Sequence, residues 1–147
     1  MLYRTLIFVV AFGLASCADR GAVRIMPEAR GVGQVETIFI GTNRSRDDAT
    51  GELFGFGRQA ETRFAKLEIS IPPARKAGEI VWPRKNRIPD PTKQFVALDE
   101  VIYPGDSQFR SDLHAKLVSQ PSGAREAVIF VHGFNNNFAE GAYRIAQ

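Results

Sequence analysis

The stretch AVIFVHGFNNNF, Ala127 to Phe138, decides how the rest of the chain is read. Ala127 to Val131 is continuously apolar, the pattern of a strand buried on both faces, as in a parallel sheet. His132 and Gly133 follow at once, then Phe134 and three asparagines. Asn137 with Glu140 three residues later is an asparagine version of the capping box, which starts a helix. Phe138, Ala142 and Ile145 then share the inward face of that helix. A glycine directly after a buried strand lets the backbone bend sharply and come close to a bound group. Amides at a helix N-terminus point toward the space an oxyanion would occupy. Taken alone, such a turn is either a site that receives an oxyanion or a purely structural turn, and it holds no nucleophile.

Upstream of it, Phe109, Leu113 and Leu117 recur every four residues in GDSQFRSDLHAKLVSQ and predict a helix. Asp106 is placed to cap its start, and Pro121 with Gly123 marks its end. His114 stands beside the apolar stripe as a surface histidine. VETIFIG (Val35–Gly41), FAKLEISIPP with Leu67, Ile69 and Ile71 alternating, and FVALDEVIY are strand candidates. TNRSRDDATGELFGFGRQ and RKAGEIVWPRKNRIPDPTK read as polar, Gly- and Pro-punctuated irregular segments. Strands, a helix, a buried strand and another helix in that order predict an α/β architecture.

Other motifs lose their context. GFGRQA, Gly55 to Ala60, fits the dinucleotide fingerprint on paper, but no buried strand precedes it and no apolar helix follows, so no cofactor is expected. Two distant histidines and one cysteine offer no metal-ligand spacing. The 147 residues carry 19 basic and 16 acidic side chains, mixed along the chain to a net +3. The densest basic stretch, WPRKNR at Trp82 to Arg87, is a solvated loop on no recognised nucleic-acid module, so no nucleic-acid partner is expected.

The N-terminus points elsewhere. Arg4 precedes the uncharged apolar run TLIFVVAFGLA, too short to cross a bilayer at about 20 residues and of signal-peptide length. It runs into LASC, Leu14 to Cys17, which resembles the lipobox of bacterial lipoproteins. That resemblance implies cleavage before Cys17 and a diacylglyceryl group on its sulfur. Residues 1–16 are then a signal peptide, 17–34 a tether, and the membrane a partner through lipidated Cys17 at the periplasmic side of a bacterial envelope. Ala18, not an acidic residue, follows the cysteine, a mild preference for the outer membrane. A plain cleaved signal and an uncleaved anchor are the alternatives.

IFIGTNR (Ile38–Arg44), LEISIPPARKAGEI (Leu67–Ile80), FVALDEV and IFVHGFNNNFAEGAYRIAQ come in sequence. Together they resemble the N-terminal part of the bacterial α/β-hydrolase family recorded as domain of unknown function 900, over residues 35–147. The resemblance implies an incomplete α/β-hydrolase fold: N-terminal strands, one helix, the family's third strand at AVIFV and the start of its helix. It implies that the Phe134 backbone N–H is an oxyanion donor, that Gly133 permits close approach, and that His132 supports the loop. It also implies a serine elbow, an acid and a histidine base further on, acting on an ester-like small molecule.

This sequence holds no such elbow. GDSQF has Phe109 where the second glycine belongs and lies upstream of the turn. A Ser107–His114–Asp112 trio on one helix has the wrong geometry for a triad. The expectation is an N-terminal fragment of a lipid-anchored serine hydrolase, inactive alone. Its third strand would lack both neighbours, leaving Val128 to Val131 and two strand edges uncovered. A short non-enzymatic envelope lipoprotein is the alternative.

Overall fold

The computed structural model describes residues 20–47 and 52–147. The expected signal peptide, residues 1–16, and Cys17 lie outside the described residues. Three strands, β1 (Gln34–Arg44), β2 (Arg58–Ile71) and β3 (Val96–Tyr103), form an antiparallel sheet in the order β1-β2-β3. Two helices, α1 (Asp106–Val118) and α2 (Phe138–Ala146), complete a small α/β arrangement. It is consistent with an incomplete α/β domain.

The alternation in β2 sets the layers. Leu67, Ile69 and Ile71 point to one face and are buried there. Register Ile38↔Leu67 brings Ile38 onto that face, and α2 covers it with Phe138, Ala142 and Tyr143, packed with Phe54 and Phe95. On the opposite face Phe39 and Phe64 meet Tyr103 and Phe109, whose ring stands 4.8 to 5.7 Å from theirs. Phe109 is thus the anchor of α1. Even so, Phe109 is only half-buried and that helix buries no residue, whereas six of the nine in α2 are buried.

Several sequence expectations change. β2 is longer than its apolar half: its polar end runs on to Arg58, with Arg63 opposite Thr42 and Arg58 opposite Arg44 across a register shift. Residues 20–33, expected as part of a tether, are folded onto the sheet. Ala97 N–H donates to Arg24 O at 2.8 Å and Met26 N–H to Ala97 O at 2.7 Å. Ala29 is buried with Val96 and Leu98. The chain then turns so tightly into β1 that a Cβ on Gly33 would collide with the Ile71 carbonyl. Backbone bonding, invisible to hydrophobic periodicity, holds this segment in place. Asp106 does not cap α1: Gly105 is the N-cap, with no side-chain bond, and Asp106 lies one position inside.

The largest correction concerns Ala127–Val131. It forms no strand, and Val128, Ile129, Phe130 and Val131 are 83%, 89%, 43% and 85% exposed. A strand exists only when its N–H and C=O groups meet a neighbour's, and no described segment pairs with this one. Nor does the parallel sheet expected around it form among the described residues: β1, β2 and β3 pair antiparallel, and the one parallel link is an isolated bridge between Ile25 and Ala97.

Candidate functional site

The His132–Asn137 turn is held mainly by side chains reaching its backbone. Asn136 N–H donates to Gly133 O at 3.3 Å, closing the turn. Asn137 then caps α2 as a full capping box: its side-chain oxygen accepts from Glu140 N–H, and its own N–H donates to Glu140 Oε2, both at 2.8 Å. The same Asn137 donates through Nδ2 to Gly21 O at 2.7 Å. Buried asparagine thereby ties the helix start to the N-terminal segment.

Two arginines clamp the turn from outside. Arg44, at the end of β1 and 2% exposed, donates from Nη2 to Asn136 O at 2.7 Å and from Nη1 to Gly55 O at 3.0 Å. Burial, with the neighbouring charges of Arg58 and Arg20, pulls its pKa below the usual guanidinium value. Arginine stays charged even so. Arg20 donates to Asn135 O and pairs with Glu140 at 3.1 Å. Neither arginine carried a local signal of the turn in the sequence, since the turn carbonyls they bind lie 92 and 115 residues away.

His132 packs on α2, where a Cβ at Gly141 would sit 3.5 Å from its Cβ. Its Nδ1 lies 2.9 Å from Gly133 O. Gly133 does not adopt a left-handed backbone. A Cβ added there would meet Asn136 Oδ1 at 3.6 Å, an ordinary contact. The turn itself therefore tolerates a side chain at 133, and the space the glycine leaves open is its distinguishing feature. The Phe134 side chain is fully exposed.

Beside the turn runs a cleft of about 1090 Å³. Its walls are β1, the inward side of α1 with Phe109, Leu113 and Leu117, the exposed segment 126–131, and Phe138, Ala142 and Ile145 of α2. β1 is an edge strand, so this wall offers unpaired backbone groups. His132 stands on the rim of the cleft, while Gly133 and Phe134 are outside its lining.

The trio on α1 is not assembled. Asp112 accepts a hydrogen bond from the Tyr103 hydroxyl at 2.8 Å. Burial and that carboxylate push the Tyr103 pKa up to about 12. His114 is exposed and makes no bond to Ser107 or Asp112. Among the described residues no cluster of His, Cys, Asp and Glu is arranged to hold a metal, and no helix is long and apolar enough to cross a membrane.

Comparison with known proteins adds a family to this geometry. No curated protein and no solved structure matches the chain. Residues 106–147, which contain α1, the exposed apolar segment, the His132–Asn137 turn and α2, match the family described as alpha/beta hydrolase of unknown function (DUF900).

Proposed function

We propose that this chain supplies the front of a lipid-anchored serine hydrolase acting on ester-like substrates. The Phe134 N–H is the oxyanion donor, Gly133 leaves room for the substrate, and His132 braces the loop. Nucleophile, acid and base come from polypeptide other than these 147 residues, so the chain alone is inactive. Cys17 carries the anchor.

One observation carries the reading. Val128 to Val131 stand exposed directly ahead of the turn, inside the family-matched region and across a cleft from the free edge of β1. Burying one such side chain is worth about 1.5–3 kcal/mol. A segment that forgoes most of this at Val128, Ile129 and Val131 is built for a partner strand. An elbow-bearing remainder of a hydrolase sheet fits that need, and it would bring the serine to the turn.

A second reading, a non-enzymatic envelope lipoprotein, draws on a different observation. Leu67, Ile69, Phe54, Phe95 and Tyr143 are fully buried without any further chain, as in a self-sufficient module.

Fluorophosphonate labelling separates the two. The 147-residue chain should take no label, and the chain extended through the reading frame that follows should be labelled on a serine beyond Gln147. Labelling of the 147-residue chain itself would overturn the proposal. An unlabelled extension, with the short chain a soluble and cooperatively folded monomer, would favour the lipoprotein.

A further inference from the structure

Two guanidinium groups lie over the Phe56 ring, with Arg20 Cζ 5.7 Å and Arg44 Cζ 5.4 Å from its centroid. Phe56 still keeps 60% of its surface in solvent. Arg58, also exposed, stands directly opposite Arg44 in the β1–β2 pairing. Like charges in that position oppose the pairing, and both Arg58 and Arg20 disfavour the charge on Arg44. Glu140, the acid bound by Arg20, is shared with the cap of α2. Arg20 also holds Asn135, whose neighbour Phe134 is wholly exposed. Phe56 is therefore an uncovered ring beside arginines, and Phe134, next in sequence to the Asn135 that Arg20 holds, is a second uncovered ring.

The chain's connectivity says what lies opposite. Arg20 follows Cys17 by three residues, a link that spans at most about 11 Å. A lipid on Cys17 would hold this patch at the bilayer surface. Arginine with interfacial aromatic rings is the chemistry that binds there.

We propose that Phe56, Phe134, Arg20 and Arg58 form a docking patch for an anionic lipid surface, an inference that rests on the reading of Cys17 as acylated. The rings enter the interfacial layer and the guanidinium groups meet lipid phosphates. Because Arg20 holds both the patch and Asn135, docking keeps the His132–Asn137 turn beside the membrane.

The test uses the full chain in vesicles of phosphatidylcholine alone or with phosphatidylglycerol. Trp82→Phe with Phe56→Trp provides one reporter, Trp82→Phe with Phe130→Trp a second, read by quenching from lipids brominated near the headgroup. Mass spectrometry of the N-terminal peptide reports acylation separately. With Cys17 acylated, the reporter at 56 should be quenched in phosphatidylglycerol vesicles. Arg58→Ala should then lower the docked-to-free ratio about fivefold, the worth of one near-surface cation. An acylated chain whose reporter at 56 stays unquenched, with or without quenching at 130, overturns the patch and leaves the anchor standing. An unacylated Cys17 overturns the anchor reading and the patch with it.

Discussion

β2 and the segment Ala127–Val131 are both rich in branched apolar residues, yet only one is a strand. β2 pairs on both sides, with β1 and with β3, and Leu67 and Ile69 are completely buried. Ala127–Val131 is the more continuously apolar of the two, and it pairs with nothing described. Apolar content sets how much a segment gains from burial. Whether it becomes a strand depends on backbone partners, which an isolated window of sequence does not contain.

The sharpest way to break that comparison is to truncate one residue in each. Leu67→Ala should cost about 2–5 kcal/mol, as for a fully buried leucine. Ile129→Ala should stay within about 0.5 kcal/mol, as for an exposed position away from special features. Urea unfolding of both variants measures the gap. A cost at Ile129 approaching that at Leu67 would mean that the segment is buried in solution, by self-association or by closing onto β1.

The same contrast explains what the sequence made legible. Alternation at Leu67, Ile69 and Ile71, and the spacing from Asn137 to Glu140, are local patterns, and both features appear where expected. Residues 20–33 carry no period, and their place is fixed by backbone bonds to Ala97 and by the fit at Gly33, so they read as a tether. The polar start of β2 meets β1 only at Arg58 and Arg63, across a register shift, which again leaves no pattern. At the candidate site the turn was legible and its clamps were not. Arg44 looked like any charged residue in a polar stretch until the fold brought Asn136 to it.

That clamp gives the next largest effect. Replacing Arg44 by Met removes bonds to Gly55 O and Asn136 O and leaves carbonyls unsatisfied in a buried setting. Losses of about 2–4 kcal/mol follow from such an exchange. Arg44→Lys should recover part of this, since a single ammonium lacks the planar fork that reaches two carbonyls. Hydrogen exchange should accelerate at the amides of residues 134–137 in both variants, more in the methionine one. Unchanged exchange there would mean that α2's capping box alone sets the turn, and Arg44 would be only a piece of the core.

The smallest effects compare the two helix starts. Asn137 makes three bonds, two within its capping box and one to Gly21. Asn137→Ala should cost at the upper end of the usual range for a lost cap, about 2 kcal/mol. Asp106, expected from sequence to do the same for α1, makes no capping bond and only an exposed pair with Arg110 at 3.4 Å. Its remaining contribution is charge at the positive end of the helix, about 0.3–1 kcal/mol at low ionic strength and screened by salt. Thermal melts of both variants at low and high salt resolve the difference in kind. The Asn137 loss should be insensitive to salt, because a neutral hydrogen-bonded cap is replaced, whereas the Asp106 loss should fade. An Asp106→Ala loss that persists in salt would mean that Asp106 takes up the capping position in solution, moving the start of α1 one residue toward the C-terminus.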